Sequence, residues 1–127
     1  MTYKDKILKF VTAKDKYIQE IVGIEYVTKD DIAEIGADWS EELCEEIWNE
    51  MLITDEVSSC PWCVKQEVYS LRYCDDCGYG KRHGECCINN EQNTYYKIKA
   101  EAERLGIPDL LYSNKIDDIF TSIRFMD

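Results

Sequence analysis

The chain is short of several things, and each shortage excludes something. Two prolines and six glycines in 127 residues rule out collagen-like and low-complexity architectures. A hydrophobic fraction of 45%, with 12% aromatic residues, is too high for an intrinsically disordered chain. No run of 18 apolar residues is present to span a bilayer, and Met1 to Lys6 lead into an amphipathic pattern rather than an apolar leader. A cytoplasmic protein with no membrane partner is the expectation. Histidine occurs once, at His83, which leaves the chain poorly equipped for hydrolytic zinc chemistry. HExxH, Walker, GxSxG and GxGxxG patterns are all missing, so the expectation is a protein that is not an enzyme. Basic residues are outnumbered, 15 Lys and Arg against 26 Asp and Glu. The resulting net charge of −11 disfavours direct binding to nucleic acid and favours a basic protein surface as partner.

Cysteine is abundant, and it is clustered. Six of the seven fall between positions 60 and 87, a distribution of metal ligands rather than of a disulfide framework. Cys60-Pro61-Trp62-Cys63 and Cys74-Asp75-Asp76-Cys77-Gly78 form two CxxC pairs. A two-residue gap lets both sulfurs of a pair reach one Zn²⁺ at about 2.3 Å. The ten residues between the pairs are long enough for a short hairpin that brings four thiolates together. His83, Cys86 and Cys87 are further candidate ligands, and seven groups compete for four places. His83 also reads as an exposed loop residue beside Lys81 and Arg82.

The paired cysteines resemble the knuckles of a zinc ribbon over about 20 of the 127 residues, with Val64 to Tyr73 as the intervening hairpin. The resemblance implies a structural Zn²⁺ held by Cys60, Cys63, Cys74 and Cys77, and little about activity. CPWC also resembles the CPYC motif of glutaredoxins, but a second CxxC eleven residues on argues for metal rather than redox chemistry.

Outside this region the apolar spacing is helical. Thr2 with Asp5 forms a capping arrangement before a stripe of Ile7, Leu8, Val11, Ile18, Ile21 and Val22, which Lys14 and Asp15 interrupt; one helix across 3–22 stopped by Gly23 is expected, with a break near Thr12 as the alternative. Thr28 and Asp31 cap a short helix ending near Gly36. From Asp38 or Ser40 to Leu52 the stripe Leu43, Cys44, Ile47, Trp48 and Met51 marks a third helix with Cys44 as a buried thiol. Thr94 caps a helix through Leu105, and Ile116, Ile119, Phe120 and Ile123 suggest a last one. The expected fold is therefore α+β and mainly helical, one small domain with an inserted zinc-ribbon-like β-hairpin. Residues 1–56 form its N-terminal helices with the acidic segment, 57–93 the metal module, and 94–127 C-terminal helices packing on the N-terminal part.

Charge is uneven. Residues 1–19 sum to +3, whereas 20–56 sum to −12 with Lys29 as their lone cation. Glu41, Glu42, Glu45, Glu46 and Glu50 place one charge per about 3 Å of helix axis, close to the spacing along one DNA strand. Glutamates also favour helix formation and solubility, so a merely solvated face is the competing account.

Small size, acidity and a structural metal give the chain an overall character that resembles phage-encoded anti-CRISPR proteins. That resemblance implies an inhibitor acting in the bacterial host cell, with the five glutamates docked on a CRISPR effector nuclease to block nucleic-acid loading. The alternative is a zinc-ribbon adaptor in transcription or replication, touching nucleic acid or polymerase through Lys65, Arg72, Lys81, Arg82, Trp62, Tyr69, Tyr73 and Tyr79. An enzyme using His83 and Glu85 beside zinc is a third account.

Overall fold

A computed structural model describes residues 1–53, 60–68, 78–84 and 92–126. These form seven α-helices: α1 (Tyr3–Val22), α2 (Lys29–Asp38), α3 (Glu41–Ile53), α4 (Pro61–Val68), α5 (Gly78–His83), α6 (Thr94–Arg104) and α7 (Asn114–Arg124), with a 3-10 turn at Leu110–Tyr112 before α7. Among the described residues there is no strand, and no helix is long and apolar enough to cross a membrane.

Local chemistry sets the ends of the helices. Thr2 and Asp5 close a reciprocal capping box at the start of α1, and Thr28 and Asp31 close another at α2. α1 runs unbroken to Gly23, whose left-handed φ of 71° lets its N–H reach back to the Gln19 carbonyl. Ser40 Oγ accepts from Leu43 N–H at 3.1 Å to start α3. α6 is capped by Asn93 rather than Thr94: Asn93 Oδ1 accepts from Tyr96 N–H at 3.2 Å, and Thr94 is the first helical residue, its hydroxyl paired with His83.

α1 is the hub, packing on α3 and α7 and more sparsely on α6 and α2, while α4 lies on α3 and α5 on α2. Ile7, Phe10, Val11 and Ile18 from α1 meet Leu43, Cys44, Ile47, Trp48 and Met51 from α3 and Ile116 and Ile123 from α7. Phe120 sits edge-on to Phe10 at 5.5 Å and beside Trp48 at 4.7 Å, geometries that add to simple area burial. Cys44 is fully buried there, and burial pushes its thiol up to about 11.

One expectation fails in this architecture. The hairpin assigned to Val64–Tyr73 begins as helix, since Pro61–Val68 is α4. Pro61 occupies the first helical position, where its fixed φ is favourable and its missing N–H costs nothing, and Val64 N–H bonds the Cys60 carbonyl at 3.1 Å. The helical spacing is also what the packing uses: Trp62 and Lys65, three residues apart, turn to the same carboxylate of Glu34. Tyr69–Tyr73, together with Cys74, Cys77, Cys86 and Cys87, lies outside the described residues.

Candidate functional site

A largely buried polar network is built on one face of α2. Asp31 and Glu34, three residues apart, turn two carboxylates inward, and they are 0% and 8% exposed. Asp31 Oδ1 accepts from Arg82 Nε at 2.5 Å, and Oδ2 accepts from His83 Nε2 at 2.6 Å and from Thr28 N–H at 2.7 Å. Burial alone would raise the Asp31 carboxyl, but the hydrogen bonds from His83, Thr28 and Arg82 outweigh it and hold it below its ordinary value. Glu34 Oε1 accepts from Arg82 Nη2 at 2.6 Å, and Oε2 accepts from both indoles, Trp39 Nε1 at 2.9 Å and Trp62 Nε1 at 3.0 Å. Two carboxylates thereby tie α2, α4 and α5 together with charge-assisted bonds. Gly78 is needed in this arrangement, since a Cβ there would overlap Glu34 Oε1.

His83 departs from its reading as an exposed loop residue. It ends α5, its side chain is 7% exposed, its Nδ1 pairs with the Thr94 hydroxyl at 2.9 Å, and its ring stacks on Tyr79 at 4.1 Å. With both ring nitrogens held by protein partners, serving as a metal ligand would mean giving one of them up.

Cys60 and Cys63 meet at the N-terminus of α4. Cys60 is buried and Cys63 exposed. The Cys60 thiol is lowered to about 6, first by its hydrogen bond from the Cys63 side chain, with burial opposing and the Lys14 ammonium assisting. Lys14, read as an interruption of the apolar stripe, is fully buried here. Its Nζ donates to Tyr26 Oη at 3.3 Å and lies 4.4 Å from the Tyr26 ring centroid, and burial lowers it to about 8. Asp15 is the other apparent interruption. Its Oδ1 accepts from the Tyr26 and Val27 N–H groups at 2.6 and 3.2 Å, pinning the turn after α1. Neither role is visible in the helical pattern, because Tyr26 and Val27, which draw these two side chains inward, lie beyond Gly23. The sequence does offer one hint of the carboxylate pair, in that the capping residue Asp31 has an acid three residues on.

Of the expected zinc ligands, Cys60, Cys63 and His83 fall among the described residues. Among the described residues no group of three or more His, Cys, Asp or Glu side chains forms a cation cage. Cys60 and Cys63 suit Zn²⁺ chemically, as adjoining thiols of which one is already acidified.

The glutamates of α3 divide. Glu41 is engaged, with its two oxygens accepting from Tyr3 N–H at 2.7 Å and Lys4 N–H at 3.3 Å, so that it closes the first turn of α1. Glu50 is half-buried. Glu42, Glu45 and Glu46 are exposed at i, i+3, i+4 spacing, and no cation pairs with them among the described residues. Of the residues expected to touch nucleic acid, Trp62 and Tyr79 are buried, each 1% exposed, while Arg82 is held by Asp31 and Glu34 and Lys65 Nζ lies 4.0 Å from Glu34. Lys81 is exposed, and Tyr69, Arg72 and Tyr73 lie outside the described residues. Comparison of the chain with protein-family models, with curated proteins and with solved structures finds no match.

Proposed function

We propose that this is a zinc-stabilised acidic binding protein, not an enzyme, that captures a basic surface of a nucleic-acid-handling protein. The observation that carries the reading is the sorting of charge. Lys14 is buried and Arg82 and Lys65 are paired with the inward carboxylates of α2, while Glu42, Glu45 and Glu46 face solvent without cations among the described residues. An uncompensated anionic helix face of this kind steers a Lys/Arg-lined partner and disfavours nucleic acid itself. A CRISPR effector nuclease, whose heteroduplex channel is positively charged, is the partner to test first. Blocking nucleic-acid loading is the action proposed there.

For the metal, we assign Cys60, Cys63, Cys74 and Cys77 as a closed structural set. Support comes from the aromatic packing beside them: Trp62, inside the first CxxC, lies 4.9 Å from the ring of Tyr79, two residues after the second. Zn²⁺ supplies architecture here and takes no part in a reaction.

The test is capture on an immobilised effector nuclease with a guide RNA competitor, at about 50 and about 300 mM salt. Wild-type protein is expected to bind, to compete with the guide, and to weaken with salt. The triple variant Glu42→Lys, Glu45→Lys, Glu46→Lys is expected not to bind, and undiminished capture by it refutes the acidic-face reading. Native mass spectrometry reports the metal separately, as one zinc per chain, lost in Cys60→Ser.

A further inference from the structure

We propose that the groove between α1 and α7 docks an acidic amphipathic helix of a partner protein. This does not rest on the acidic-face reading, because it concerns another surface and the opposite charge.

The lysines of α1 have different fates. Lys4 Nζ donates to the Gly36 carbonyl at 3.0 Å, Lys6 sits over the rings of Tyr3 and Trp48, and Lys14 is buried. Lys9 and Lys16, two turns apart, line the groove instead, and Lys115 joins them from α7. None of the three has a carboxylate within salt-bridge distance among the described residues, and the polar neighbour of Lys9 is the Met126 sulfur at 3.9 Å. Asp118 is the one acid on the lining. On a chain of net charge −11 this is a local concentration of positive charge.

The floor between the lysines is apolar, formed by Leu8, Ala13, Ile119, Ile123 and Met126, and Met126 is 39% exposed. The groove holds about 660 Å³ and is open along its length. From Leu8 to Lys16 it runs about 12 Å along α1, the length of two to three helical turns. Sites for small molecules bury most of their ligand in an enclosed cleft, whereas an open trough between two helices fits a third helix laid in by its apolar i, i+3/i+4, i+7 side chains. Glutamates or aspartates flanking that stripe would meet Lys9, Lys16 and Lys115. The acidic remainder of the chain repels any partner whose acids extend beyond the groove, which fixes orientation as well as class.

The experiment uses the full chain and a fluorescein-labelled synthetic helix of about 16 residues, with Leu at i, i+3, i+7 and i+11 and Glu on both flanks, beside a twin with Lys flanks. The acidic peptide is expected to bind at least about tenfold tighter than its twin at about 50 mM salt, and to lose that margin as salt rises. Amide shifts in NMR should cluster on residues 8–16 and 115–126. Reversal of all three lysines (Lys9→Glu, Lys16→Glu, Lys115→Glu) should invert the preference. Ser122→Trp, which fills the groove from an exposed lining position, should abolish binding of both peptides with an unchanged thermal melt. Equal binding of the two peptides, shifts on other helices, no binding at millimolar peptide, or sedimentation showing a second copy of the chain seated in the groove would each overturn the proposal.

Discussion

Replacing Glu34 by Ala is the sharpest probe of the buried network. The carboxylate receives both indole N–H groups and the Arg82 guanidinium, and Trp39 and Trp62 are each 1% exposed, so water is not at hand to replace it. A buried donor stripped of its acceptor costs about 1 to 3 kcal/mol, and here there are two. Arg82 keeps Asp31 and is about a quarter exposed, so its share adds no more than about 1 kcal/mol. The expected loss is therefore about 2 to 7 kcal/mol, against about 5 to 15 kcal/mol for a whole domain, so Glu34→Ala should remove a large share of the protein's stability. Glu34→Gln keeps an oxygen for the indoles and should lose about 1 to 2 kcal/mol. Urea titration followed by tryptophan fluorescence and far-ultraviolet circular dichroism measures both. A double-mutant cycle with Trp62→Phe should return a coupling of about 1 to 2 kcal/mol. A loss below about 1 kcal/mol for Glu34→Ala, or no coupling, would show that the indoles find other acceptors and that the carboxylate does not join α2 to α4.

Three further outcomes are expected. Gly78→Ala should destabilise by about 1 to 3 kcal/mol, because Glu34 cannot swing away from its donors, whereas Gly36→Ala, with open space around its Cβ in α2, should gain about 0.5 to 1 kcal/mol; thermal melts separate the two. Glu41→Ala should cost about 1 kcal/mol by freeing the first N–H groups of α1, while Glu45→Ala should change stability by less than about 0.5 kcal/mol in the same urea titration. Asp31 has a carboxyl held below its ordinary value of 3.8 in the folded state, so its contribution is present above that value and is lost as pH falls through the lower folded one. Asp31→Asn should accordingly be less stable than wild type at neutral pH and show a shallower acid limb below about pH 4, read from urea midpoints across pH.

Much of the helical framework was legible because its causes are local. The boxes at Thr2 with Asp5 and at Thr28 with Asp31, the stripe from Leu43 to Met51, and the stop at Gly23 each depend on residues within one or two turns, and α1, α2 and α3 follow them. The CxxC pattern likewise marks Cys60 and Cys63 as neighbours, which they are. The hairpin was misjudged at its start because a strand and a short helix both satisfy a ten-residue spacing between cysteine pairs, and only Glu34, reached by Trp62 and Lys65 together, selects the helix.

Composition and short-range spacing alone thus settled that this chain is acidic, helix-forming and cysteine-clustered, since charge, caps and periodicity are properties of neighbours in sequence. Tertiary structure decided which charged groups are spent inside and which are offered outside. Lys14 is buried against Tyr26, Arg82 is held by Asp31 and Glu34, and Glu41 is taken by α1, while Glu42, Glu45 and Glu46 stay in water. The physical reason is that burying a charge is favourable only when a partner arrives with matching geometry, and these partners come from segments 12 to 51 residues away along the chain.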